Sequence, residues 1–248
     1  MKTVYVKAPP GYRLEKSSLT KVIRYWLSLA SLTAGVAMFT TVAYPLLHYQ
    51  LTYAPQFRKT NILTPQTISS AIKPAKAQEG PVFAEEIVNT ALDYTDSANW
   101  FGAVSKVQPE GKKPLVYTLS IPRLNIERAI VRNDHTDLRQ SLIQYVGTAM
   151  PGDLGNAVVF GHSVLPQFFN PANYLTIFST LHRLNVGDEL IVESDGARYT
   201  YQIYEMYETL PDDLSPLAQT YNGRYLTLIT CTPPGTYIRR LVIKAHLL

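Results

Sequence analysis

From Tyr25 to Leu47 the chain runs 23 residues without a formal charge, YWLSLASLTAGVAMFTTVAYPLL. Coiled as an α-helix, that run reaches about 35 Å, enough to cross a bilayer core of roughly 30 Å. After Leu115 the pattern changes to short stretches rich in Val, Ile, Leu and Tyr, separated by turn residues, which predicts strands. LVYTLSIPRLNIERAIV reads as two strands around Pro122, followed by strands at 156–162, 188–194, 198–209, 224–231 and 239–247. The Asp-Gly pair in ESDGARYTY predicts a tight hairpin. TDLRQSLI (136–143) and NYLTIFSTLHRL (173–184) read as short connecting helices. About seven short strands with few helices predict an all-β domain: a closed or nearly closed β-barrel with short helical insertions.

Four segments follow from this pattern: a cytoplasmic stretch at 1–24, a transmembrane helix at 25–47, an extracytoplasmic linker at 48–112 and the main domain at 113–248. The linker is rich in Pro, Thr, Gln, Lys and Ala, as in TPQTISSAIKPAKAQEGP, and as a flexible chain it spans roughly 40–50 Å. Within it, AEEIVNTALDYTDSANWF (84–101) predicts a short amphipathic helix with Ile87, Ala91 and Tyr94 on one side. A cleaved secretory signal is the alternative for 25–47, but the run exceeds the usual apolar core and no small-x-small cleavage site follows.

Charge sets the orientation. Lys2, Lys7, Arg13, Lys16, Lys21 and Arg24 precede the apolar run against Glu15 alone, so the N-terminus is expected in the cytoplasm and the main domain outside the cell membrane, as a single-pass protein. Residues 1–112 carry 12 Lys+Arg against 7 Asp+Glu, and 113–248 carry 11 against 12, so the basic excess does not belong to the main domain. A near-neutral domain is a poor binder of phosphate backbones, which argues against nucleic acid as a partner. One cysteine cannot form an internal disulfide, so the fold rests on its own core.

That cysteine, Cys231, ends the strand-like run YLTLIT and is followed by TPPG. A lone Cys is ordinarily a small buried hydrophobe, yet this one sits where strand gives way to turn. A thiol nucleophile needs a base or a cation beside it and donors for an oxyanion. Of the five histidines, His162 closes the buried-looking strand NAVVFGH, just after Gly161 and before Ser163; its bland reading is a hydrogen-bonded loop histidine. Arg239 and Arg240 open the last strand and point to opposite faces, so only one can address the thiol.

Read in order, LSIPRLNIERAIV, YVGTAMPGDLGNAVVFGHS, IFSTLHRLNVGDELIV, TLITC with its Pro/Gly loop, and RLVIKA resemble the sortase family, over about residues 115–248. The resemblance implies a sortase-type closed β-barrel preceded by a transmembrane helix and linker. It implies a cysteine transpeptidase acting on surface proteins that bear LPxTG-like sorting signals, with an amine acceptor such as a cell-wall precursor and no cofactor or metal. Carried over, the catalytic residues are Cys231, His162 and Arg240, with Arg239 as the rival. Thr230 and Ser163 are candidate substrate contacts, although Thr230 is expected to point away from Cys231. With no second apolar span after Ala245 and no acidic cluster suited to calcium, classes D and E are more similar than the pilin-polymerising class. Against this stand a non-catalytic binding or scaffold protein on the same barrel, and a Cys/His hydrolase or peptidoglycan transpeptidase of another fold. The latter usually clusters its pair, whereas here 69 residues separate His162 from Cys231.

Overall fold

The computed structural model describes residues 18–58, 93–100 and 115–248. Two compact units divide the chain at Tyr44/Pro45. In the first, helix α1 (Ser18–Thr52) begins before the uncharged run and continues past it into the second. Its segment Lys21–Thr52 is long and apolar enough to cross a membrane. Trp26, Leu32, Met38 and Phe39 are all exposed on it, so apolar side chains surround the helix rather than forming one stripe for a protein core.

The second unit is built on eight strands closed into a barrel in the order β1-β2-β3-β4-β7-β8-β6-β5. They are β1 (Val116–Ile121), β2 (Ile126–Arg132), β3 (Leu142–Gln144), β4 (Gly155–Phe160), β5 (Glu189–Ser194), β6 (Ala197–Thr209), β7 (Arg224–Thr232) and β8 (Arg239–Leu247). Pairings are antiparallel except β2/β3 and β4/β7, which are parallel. Strand alternation fills the barrel: Leu119 and Ile121, Ala157 and Val159, Leu226 and Leu228, and Leu241, Ile243 and Ala245 all enter one cluster. The predicted hairpin forms at Asp195 and Gly196, whose φ angles of 49° and 78° are those of a type I′ turn.

The two predicted connecting helices do not form as α-helices. In 136–143, Asp137 Oδ1 accepts from the Arg139 backbone N–H, a local bond that competes with the helix, and Leu142 and Ile143 are drawn into β3. In 173–184, Asn173 Oδ1 accepts from Leu175 N–H and its carbonyl from Thr176 N–H, making turns, and only Leu181–Arg183 coils, as a 3-10 helix. Ile177, Phe178 and Leu181 of that stretch still reach the core. Part of the amphipathic helix expected at 84–101 lies outside the described residues. Its described part, 93–100, is a turn followed by a 3-10 helix at Ser97–Asn99, because Asp93 and Asp96 accept from N–H groups two residues on.

The stretch just after the uncharged run packs on the barrel. Tyr49, Ala54 and Phe57 are buried, the last two in the helical turn α2 (Ala54–Phe57). Tyr49 Oη donates to Glu208 Oε1 at 2.7 Å and accepts from Thr232 Oγ1 at 2.6 Å, joining α1 to the ends of β6 and β7. Tyr49 and Tyr53 both meet the ring of His182 edge-on.

Candidate active site

Cys231 and His162 sit at neighbouring strand ends because β4 and β7 run parallel. Phe160 pairs with Ile229, and the same register carried two residues further sets His162 level with Cys231. Two side chains lock this end: Thr230 Oγ1 donates to the Gly161 carbonyl at 2.8 Å, and Ser163 Oγ to the Cys231 carbonyl at 2.8 Å. Both hydroxyls are buried and committed to backbone, so in this arrangement they tie strands together. Gly161 is required by contact rather than by dihedral angle, since a Cβ there would lie 2.3 Å from the Phe178 ring and 2.7 Å from Leu142.

His162 Nδ1 lies 2.7 Å from the Leu175 carbonyl. A carbonyl only accepts, so Nδ1 carries the hydrogen and Nε2 is the basic nitrogen. That Nε2 is buried and has no partner among the described residues. Burial holds the imidazole below its usual value, against the bond to Leu175.

On the other side of β7, Cys231 pairs directly with Arg240 of β8, while Arg239 pairs with Thr232 and is partly exposed. Arg240 therefore shares the face of the thiol, and both residues are only 1% exposed. Its guanidinium donates to the carbonyls of Tyr237, Arg239 and Trp100 at 3.2, 3.3 and 3.2 Å, and its carbon lies 5.2 Å from the Trp100 ring centre. Its Nε has no hydrogen-bond partner among the described residues. Burial pushes the Cys231 thiol up to about 11, with the Arg240 charge opposing. Thiol and imidazole are both neutral at pH 7 in this arrangement.

The cover over this face was not visible in the sequence. Cys231 belongs to a second apolar cluster on the outer wall, with Ile143, Val158, Phe160, Ile229 and Trp100. Trp100 rests on Phe160, Tyr94 stacks on Tyr237 of the β7–β8 loop at 4.2 Å between ring centres, and the Trp100 Nε1 donates to the Tyr94 carbonyl. Residues 93–100 thus lie over the thiol and the guanidinium. Of the two aromatics expected at the entrance, Phe168 is exposed, whereas Phe169 packs against the barrel core. Among the described residues there is no cluster of metal-ligating side chains.

The Sortase domain family matches residues 119–248, from β1 to the last residue. Sortase D of Bacillus subtilis (strain 168) is 28% identical over 116 residues, covering 46% of this chain and 53% of the relative, so the match spans about half the relative's length. Among solved structures, a Clostridium perfringens Sortase D5 transpeptidase is 25% identical, with a TM-score of 0.46, over 54% of this chain and 79% of that one. Sortase A from Corynebacterium diphtheriae is 27% identical, with a TM-score of 0.47, over 56% and 63%. With more than half of its residues matched by the family, the chain belongs to the sortases.

Proposed function

We propose that the protein is a membrane-anchored cysteine transpeptidase. It cleaves an LPxTG-like sorting signal through a thioester on Cys231 and transfers the surface protein to an amine acceptor such as a cell-wall precursor. One observation carries the reading: strand register sets His162 and Arg240 on either side of Cys231, and two of their buried polar atoms, His162 Nε2 and Arg240 Nε, have no hydrogen-bond partner among the described residues. A buried polar atom left unmatched costs free energy, and such groups are retained where a reaction uses them.

In this reading the Cys231 thiolate attacks the carbonyl of the signal's threonine, forming a C–S bond. Arg240 donates to the developing oxyanion. The C–N bond then breaks, and His162, in its protonated form, gives its proton from Nε2 to the departing amine. The acceptor amine attacks the thioester, His162 takes up its proton, the new amide forms and the thiolate leaves. Because the resting pair is neutral, only a small fraction is charged for reaction at any moment. A substrate reaches the thiol once Trp100 and Tyr94 have left it.

Orientation follows from charge: the basic flank of α1 stays in the cytoplasm and the barrel lies outside, held by the helix at the cell membrane. A class D- or E-like enzyme is the subclass favoured. The test is to incubate the full chain, in detergent, with a panel of LPxTG-like peptides and an amine. The expected result is release of the C-terminal fragment and a transferred product, both absent in Cys231→Ala. Turnover by Cys231→Ala would remove the nucleophile from the proposal.

A further inference from the structure

A second concave site lies on the outer wall, at the other end of β7. A cleft of about 610 Å³ opens between β6, β7, β8 and the loop at 218–223. Its volume is in the range of ligand pockets, about 300–1,000 Å³. From Tyr225 to Cys231 the strand advances about 20 Å, so an occupant here does not touch the thiol.

Strand register explains why these side chains face outward. Leu226, Ala245 and Ile203 enter the barrel, so their neighbours Tyr225 and His246, which pair across β7 and β8, turn to the outer face. A bulge between Ile203 and Glu205 inserts Tyr204 on the same side and leaves it 40% exposed. Tyr204 packs at 6.2 Å from Tyr225 and 5.7 Å from His246, making an aromatic wall.

The polar groups around that wall are mostly unspent donors. Arg224 uses its Nε on the Gly152 carbonyl, at 2.7 Å, while its two terminal nitrogens have no acceptor and no carboxylate among the described residues. Asn222 Oδ1 accepts from Tyr225 Oη, and its amide nitrogen has no acceptor among the described residues. The His246 ring makes no hydrogen bond among the described residues. Lys244 also lines the cleft; its ammonium lies 3.9 Å from Glu205 and 5.5 Å from the Tyr207 ring centre. Thr227, on the floor, is already bonded to Asn156. A guanidinium whose terminal N–H groups have no acceptor among the described residues, with Lys244 and further N–H groups lining the same cleft, calls for an anionic, acceptor-rich ligand, and a guanidinium fork suits carboxylate or phosphate. Rings with an apolar face and a polar edge suit the C–H face of a sugar.

We propose that this cleft binds an anionic saccharide, its acid group on Arg224 and Lys244 and a sugar ring against Tyr204. The proposal stands independently of the transpeptidase reading, because none of these residues touches Cys231, His162 or Arg240.

The test uses the full chain in a non-ionic, sugar-free detergent, titrated calorimetrically with a glucuronate trisaccharide, with N-acetylglucosamine 6-phosphate and with neutral chitotriose. At least one anionic saccharide is expected to saturate, with chitotriose weaker by about tenfold or more. Which anionic probe binds separates a carboxylated source from a phosphorylated one. Arg224→Gln and Tyr204→Ala should each weaken binding by about tenfold at an unchanged melting temperature, while Arg198→Gln, on β6 outside the cleft, should not. Absence of saturable binding by either anionic probe, equal binding of chitotriose, or full affinity in both cleft variants would overturn the assignment. Cys231→Ala is expected to bind normally, so loss of catalysis and loss of binding are read separately.

Discussion

At the scale of single residues, the site depends on what Arg240 does with a charge that no carboxylate among the described residues neutralises. Three carbonyls and an indole face hold it, and one N–H is left over. If that N–H serves the oxyanion, Arg240→Ala should lower kcat/KM by about a hundredfold or more. Arg240→Lys, which keeps the charge and loses the fork, should recover only part of that loss. A peptide cleavage assay on both variants checks the order, and wild-type rates in Arg240→Ala would remove the arginine from the chemistry. Two-residue periodicity showed in the sequence only that one of Arg239 and Arg240 can face the thiol; the family resemblance favoured Arg240, and the strand register, which pairs Cys231 with Arg240, comes from the fold. His162 was legible as a strand-end residue, but its acceptor, the Leu175 carbonyl, was not, because it comes from a connection whose conformation is set by turns and packing.

At the scale of elements, the segment 93–100 decides whether the thiol is accessible. Trp100 is buried against Phe160 and over Arg240, and Tyr94 against Tyr237, so the cover is held by ring contacts and one cation–π interaction. Trp100→Ala should loosen it, admit water to Cys231 and relieve the burial that raises the thiol. Alkylation of Cys231 by iodoacetamide at pH 8 should then speed up by about tenfold or more. An unchanged rate would mean that the cover does not limit access.

Seven of the eight strands were readable as short runs rich in Val, Ile, Leu and Tyr set between turn residues. β3 was not: three residues are too few to show a period, and its neighbours have helix-like spacing. The cover was hidden for a similar reason. YTDSANW has no repeat, and its shape comes from the Asp93 and Asp96 side chains bonding to nearby backbone.

At the scale of the whole molecule, the barrel unit includes residues expected to be linker, since Phe57 and Tyr53 join its apolar core and Tyr49 and Tyr53 pack edge-on to His182. Such a cap is invisible to sequence reading because its partners, Glu208 and Thr232, lie 159 and 183 residues away. It also has a pH signature. Burial holds the His182 imidazole down to about 4, against about 6.5 in an unfolded chain. The unfolded chain therefore takes up the proton first as pH falls. Stability from neutral His182 is complete above about pH 6.5 and is lost between there and about pH 4, by at most about 3 kcal/mol. Melting temperatures at pH 7 and pH 4.5 should show that drop in the wild type and a smaller one in His182→Phe. An equal drop in both would place the acid sensitivity elsewhere.

The central claim is that the sulfur of Cys231 carries the acyl group during transfer. Its most direct measurement is the mass of the Cys231-containing peptide after the full chain meets an LPxTG-like substrate without amine. That peptide should gain the acyl fragment and lose it on adding hydroxylamine. Cleavage that proceeds with Cys231 unmodified, or with the adduct on another residue, would contradict the claim.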